Sequence, residues 1–201
     1  MKRQIVNQLS TRLTTAAAAL FAVMLFLAGC VVTSIYPYYT DKDLVFEPTM
    51  LGDWVEAGET NEPSEYVRFE PMGTNGYWVT ALGGSETNRF EVHLFRLKEQ
   101  LFIDTCPTNR SLDFVPVHQV SKVTEIGPGI ETANLNYDWL AKLLEKNPRA
   151  IRHMVLRDKP EDKQDGRIVL TAETKELQRF LLKYVNLTNA WQESSPMKHR
   201  N

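Results

Sequence analysis

The chain has 201 residues, with 23 Lys plus Arg against 25 Asp plus Glu, 43% hydrophobic residues and two cysteines. That composition belongs to an ordinary folded domain and excludes collagen-like, disordered and disulfide-scaffold classes. Residues 1–29 hold Lys2, Arg3 and Arg12 but no acid, so their removal takes the formal net charge from −2 to −5, a mildly acidic balance that argues against nucleic acid as a partner.

Lys2, Arg3 and Arg12 form a positive leader, and Leu13 to Gly29 is a run of apolar or small residues. This is the layout of an export signal peptide. As a helix the run would rise about 25 Å, short of a hydrocarbon core of about 30 Å, and no positive flank follows it. It ends in Leu27-Ala28-Gly29-Cys30, which resembles the lipobox of bacterial lipoproteins. The resemblance implies a diacylglycerol on the Cys30 thiol, cleavage just before Cys30, and a further acyl chain such as palmitate on the new amino group. Two or three acyl chains hold a protein at a membrane without a spanning helix. The expected location is therefore the cell envelope, with the protein exported, membrane-anchored and facing the periplasm. Val31 stands where an Asp would mark inner-membrane retention, which by the same resemblance favours the outer membrane.

Residues 30–50 read as the lipidated cysteine and a tether, in which Tyr36, Tyr38 and Tyr39 suit either lipid headgroups or packing onto the body. Residues 51–191 read as one α+β domain. From Leu51 to Ile126 the period is mostly two, and strands are expected over Gly52 to Ala57, Tyr66 to Glu70, Tyr77 to Leu82, Phe90 to Leu97, Leu101 to Asp104 and Val115 to Val123. Turn formers at Asn61-Glu62-Pro63, Gly73 to Gly76, Gly83 to Ser85 and Lys98 to Gln100 separate them, giving an antiparallel, strongly curled meander, a half-barrel or barrel. Phe90, Val92 and Leu94 share one face. Gly127-Pro128-Gly129 reads as a turn.

Tyr137, Leu140, Ala141 and Leu144 then follow a helical period behind Asn136 as N-cap, and Asn147-Pro148 ends that helix. A hairpin is expected from Ile151 to Arg157 and Arg167 to Leu170 across the charged turn Lys159 to Gly166. A second helix, capped by Thr171, carries the stripe Leu177, Phe180, Leu181 and Tyr184. Both helices should pack on the sheet. Residues 192–201 read as a flexible tail. Trp54, Tyr66, Trp78, Phe95, Leu97, Phe102, Trp139, Leu177 and Phe180 are the candidate core.

No complete catalytic constellation stands out, and no catalytic residue is assigned. Cys106 and His118 are the nearest approach to a nucleophile and base, yet Asp104 beside the thiol opposes its activation, and Cys106 reads first as a packing residue. His93, His118, His153 and His199 lack any zinc-ligand spacing, so neither metal nor cofactor is expected. Asp104, Asp113, Glu86 and Glu91 could face one another, but spacing selects no acid pair. Phosphate-cradle and nucleophile-elbow patterns are missing from the sequence.

Gly52-Asp53-Trp54 is similar to the GxW element that opens the barrel of lipocalins. That resemblance implies a cup for a small apolar ligand, with Trp54, Trp78 and Phe95 as its walls. The mature chain also resembles small lipoproteins of Gram-negative bacteria with no assigned activity, through its Tyr-Pro-Tyr-Tyr leader, Leu-Gly-Asp-Trp strand, Pro-Val-His stretch and Leu-Thr-Ala-Glu-Thr helix entry. Three functions compete on these grounds. One is a non-enzymatic binding or scaffolding module that contacts the membrane through Cys30 and another envelope protein. The second is a lipocalin-like carrier of a small apolar ligand, and the third a hydrolase using Cys106 with His118.

Overall fold

The computed structural model describes residues 32–58, 65–83, 87–108, 117–157 and 166–200. The stretch read as a signal peptide, Cys30, the expected turn at Asn61-Glu62-Pro63, Glu86, Asp113 and most of the expected charged turn from Lys159 to Gly166 lie outside the described residues. Two short strands, β1 (Thr33–Ser34) and β2 (Leu44–Val45), precede a meander of β3 (Gly52–Glu56), β4 (Tyr66–Met72), β5 (Gly76–Leu82), β6 (Asn88–Leu97), β7 (Gln100–Pro107), β8 (Gln119–Ile126) and β9 (Gly129–Asn134). Helix α1 (Tyr137–Lys146), the hairpin β10 (His153–Arg157) and β11 (Gly166–Leu170), helix α2 (Thr174–Tyr184) and β12 (Ser195–His199) follow.

The meander closes into an eight-stranded antiparallel barrel, because β12 inserts between β9 and β3 while β6 and β7 pair on the other side. With its two helices the fold is α+β. Closure removes the exposed sheet edges that an open meander would carry. The stretch read as a flexible tail is thus corrected: Met197 pairs with Glu56 on one side and Ile130 on the other, completing the barrel. Its Pro196 had suggested fraying, but it lies opposite Glu131 in the ladder, and its carbonyl accepts from the Ala57 N–H. The eighth strand comes after both helices, whereas a lipocalin places its helix after eight strands.

The interior is filled by the inward parity of β3 to β9 together with Met50 just before them: Met50, Trp54, Phe69, Tyr77, Val79, Val92, Leu94, Ile103, Val123 and Ile130 form one buried cluster, with Met197 of β12 packed against it. Phe90, Val92 and Leu94 do share a face, the inner one. A second core lies outside the barrel, where Phe95 and Leu97 of β6, Phe102 of β7, Val120 of β8 and Ala133 of β9 meet Leu140, Leu144, Leu177, Phe180 and Leu181 of the helices. Asn136 caps α1 by accepting from the Trp139 N–H. The N-cap of α2 is Glu173 rather than Thr171, whose N–H instead donates to the Arg152 carbonyl. Three of the expected core aromatics are only half-buried. Tyr66, Trp78 and Trp139 take outward or rim positions, and Arg200 and Arg89 stack on Tyr66 and Trp78 at 4.2 Å from each ring centroid.

A second, small sheet has the order β1-β11-β10. Here β1 runs parallel to β11, with Thr33 opposite Val169 and Ser34 opposite Leu170. β2 continues the ladder on the β5 side of β6, pairing with Phe95 and Leu94 where β5 ends at Val92. The segment read as a tether is therefore woven into the body from Val32 onward. Among the described residues no helix is long and apolar enough to cross a membrane.

Candidate functional site

The most concentrated polar chemistry sits on the outer face of β6–β8, beneath the leader. Cross-strand register sets His93 opposite Asp104 and Glu91 opposite Cys106, all on the parity that faces away from the barrel interior. Asp104 is fully buried. Burial of a carboxylate is costly unless its oxygens are satisfied, and both are. Oδ1 takes His118 Nδ1 at 2.7 Å, and Oδ2 accepts the Tyr38 N–H at 3.0 Å. His118 also forms a reciprocal backbone bridge with Ser34, each N–H donating to the other carbonyl at 2.8 Å.

The leader is gripped from its other side by α2. Thr174 Oγ1 donates to the Pro37 carbonyl at 2.8 Å, and Gln178 Nε2 donates both to the Tyr38 carbonyl and to Asp43 Oδ2. Chain between Ser34 and Asp43 is thus held between the barrel wall and α2. Of the three leader tyrosines only Tyr36 is exposed, while Tyr38 is fully buried and Tyr39 half-buried. Tyr39 meets His93 through its hydroxyl and Nδ1 at 3.0 Å, with ring centroids 4.6 Å apart. Burial first, and then the negative charge of Asp104 and Glu91, raise the pKa of the Tyr39 phenol well above its ordinary range.

The Tyr38 hydroxyl is buried with no hydrogen-bond partner among the described residues. An unpaired buried hydroxyl forfeits its hydration without return. Tyr38→Phe is accordingly expected to raise stability by about 1 to 2 kcal/mol, seen as a higher urea midpoint. A lowered midpoint would show that the hydroxyl has a stabilising partner.

His93 supplies a pH dependence. Burial, its largest influence, holds the imidazole pKa below the ordinary value, with His118 pushing the same way and Asp104 and Glu91 opposing. The folded state therefore binds fewer protons at this site than the unfolded chain, and stability rises with pH wherever that difference exists. Stability should fall as pH drops through about 6.5. Thermal unfolding from pH 8 to pH 5 checks this, and His93→Gln should flatten that part of the profile. An unaltered profile in the variant assigns the pH dependence elsewhere.

Cys106 lies on the same face as Asp104, two residues along β7, and is 8% exposed. Its thiol donates weakly to the Pro107 carbonyl at 3.8 Å. Nucleophilic thiols sit beside cations, but its register partner is Glu91 and its strand neighbour Asp104. His118 Nδ1 meets Asp104 Oδ1, a pairing that fixes the imidazole and ties β7 to the residue just before β8. Among the described residues no group of three or more His, Cys, Asp or Glu could hold a metal ion.

The three residues read as walls of one pocket are not brought together. Trp54 fills the barrel interior, Phe95 belongs to the outer core, and Trp78 lies on the outside of β5. Strand parity separates them: Trp78 alternates with the inward Tyr77 and Val79, and Phe95 follows the inward Leu94. Two adjoining grooves share Gln100, Lys122 and Thr124, one of about 410 Å³ along β7 and β8 and one of about 320 Å³ where they meet the segment after α2. Lys122 Nζ sits 5.3 Å from the Trp191 ring centroid and donates to the Val185 carbonyl at 3.4 Å. Burial holds its pKa below the ordinary lysine value. Such a groove is a polar surface recess rather than an apolar cup.

Sequence reasoning missed the roles of Asp104, Tyr38 and Lys122. Asp104 left a signal, since a carboxylate between Ile103 and Cys106 in a buried strand requires partners. Lys122 left none, because a lysine in an alternating strand looks the same whether or not an aromatic ring covers it. Comparison with protein-family models, with curated proteins and with solved structures finds no match to this chain.

Proposed function

We propose that this chain is a lipid-anchored protein of the bacterial cell envelope, carried by acyl groups on Cys30, that acts without catalysis as a binding or scaffolding module. The observation that carries the reading is the short distance between lipobox and body. Val32, two residues after Cys30, is already buried, and Thr33–Ser34 is paired into β11. Two residues of extended chain reach about 7 Å. The anchor is thus joined to the folded body with no free spacer, and the clasp of Asp104, His118 and Ser34 transmits any pull on the lipid to the barrel wall. A docked anchor of this kind suits a protein that presents a fixed surface to a partner at the membrane.

Radiolabelled palmitate should enter the wild-type protein, whereas Cys30→Ser should remain unprocessed and unlabelled. Normal processing of the variant would overturn the anchor. Cross-linking and mass spectrometry of detergent-extracted native protein then identify what it holds. A protein partner supports scaffolding, and a specific copurifying lipid supports the second reading, a lipocalin-like carrier. That second reading draws on barrel closure and on the Gly52-Asp53-Trp54 opening, where Gly52 adopts φ +118 and Trp54 enters the interior.

A further inference from the structure

We infer that the outer face of the small β1-β11-β10 sheet is the surface that lies against the bilayer, an inference that rests on acylation of Cys30. Its evidence is the distribution of exposed apolar side chains. Among the described residues six large hydrophobic side chains are exposed, and five of them belong to this sheet or continue it: Ile35, Met154 and Leu156 on one face, Val155 opposite Ile168 on the other, and Tyr36 just beyond β1. Such clustering on an otherwise polar surface marks an interaction site.

Register and parity say which face is involved. Ile168 and Leu170 of β11 point into the outer core beneath the helices. Alternation sends Val169 the other way, where it is itself 7% exposed, and its row partners are Thr33 of β1 and Met154 of β10. Leu156, opposite Arg167, and Ile35, whose N–H extends the ladder to the Leu170 carbonyl, fall on the same outer face. Met154 and Leu156 are 47% and 46% exposed there, although both stand in a strand where packing was available on the opposite side.

The occupant is argued from the place of the anchor. β1, the strand that begins three residues after Cys30, lies in this sheet, and β10 is two strand spacings away, about 10 Å. Acyl chains entering the membrane at Cys30 bring this sheet to the interface before any other part of the molecule. The chemistry fits a lipid surface. Apolar Met154, Leu156 and Ile35 can enter the acyl boundary, Tyr36 suits the headgroup level, and exposed Arg157 and Arg167 at the end of the hairpin can reach lipid phosphates. β10 ends the sheet among the described residues, and the hydrated headgroup layer can satisfy its outer backbone groups.

The test uses the full chain expressed with its leader, extracted and reconstituted into vesicles of phosphatidylethanolamine and phosphatidylglycerol, with or without brominated acyl chains. An environment-sensitive fluorophore is attached at Met154→Cys or Leu156→Cys in a Cys106→Ser background. Glu70→Cys, on the outside of β4 and across the barrel from β8, is the control. Intact-mass measurement on the same samples reports acylation. Expected are blue-shifted emission at 154 and 156 that is lost to brominated lipid, and water-like emission at 70. Acylated protein with water-like emission at 154 and 156 would overturn the face while leaving the anchor intact. A blue shift indifferent to brominated lipid would do the same and assign the face to a second copy, another protein or the chain's own leader. An unacylated product would remove the anchor, and this orientation with it.

Discussion

Asp104→Ala should lower the stability of the protein by about 3 to 5 kcal/mol, the range for breaking one side of a buried, hydrogen-bonded pair. The carboxylate has no exposure, and its two oxygens serve two different elements, the leader through the Tyr38 N–H and the start of β8 through His118. Removing it leaves both donors facing a small void from which water is excluded. Asp104→Asn keeps one acceptor and should cost roughly half as much. The loss should also be localised. Peptides covering residues 36–40 should gain hydrogen exchange and protease sensitivity ahead of the barrel strands, because the Tyr38 N–H loses its acceptor while β1 and β2 stay paired on either side. Urea midpoints equal to wild type would mean that the pair is solvated and that the leader is held by other contacts.

What the sequence made legible follows from where its signal was local. Period-two alternation placed β3 to β8 to within a few residues, and the 3.6 period with Asn136 located α1. Both patterns are carried by the residues that form the element. Gly129–Asn134 escaped because its Thr132 and Asn134 are polar at inward positions, so β9 shows no apolar alternation to read. Closure of the barrel was equally silent. It depends on Met197 and His199 finding partners far away in sequence, and no local pattern records that pairing. The leader misled for a related reason: Pro37 and three clustered tyrosines read as irregular chain, while their burial is decided by α2, more than a hundred positions later. For the candidate site, the residues His118, Asp104 and Cys106 were recognised as neighbours by strand position. The burial of Asp104 and its hold on the Tyr38 N–H were not legible, since they depend on chain more than sixty positions earlier.

Trp54→Ala is expected to cost about 3 to 5 kcal/mol, the range for truncating a fully buried large aromatic. Its ring is wholly inside the barrel, its indole N–H donates to the Met50 carbonyl at 2.9 Å, and the His199 ring lies 3.8 Å away between centroids. Three separate losses therefore coincide: apolar burial, a satisfied carbonyl and the contact that seats the closing strand, because Trp54 and His199 are direct partners between β3 and β12. Trp54→Phe separates them. It retains most of the volume and the ring contact, removes only the hydrogen bond, and should cost about 1 to 2 kcal/mol. The pair of variants also bears on function. A barrel whose interior is a packed core pays a cavity penalty for the alanine, whereas a barrel that already holds ligand-sized space relaxes into it and loses little more than transfer energy. Urea denaturation of both variants distinguishes these cases. A Trp54→Ala cost no larger than that of Trp54→Phe would reopen the interior as a binding cup, and a full cost leaves the outside of the barrel as the surface on which a partner would have to bind.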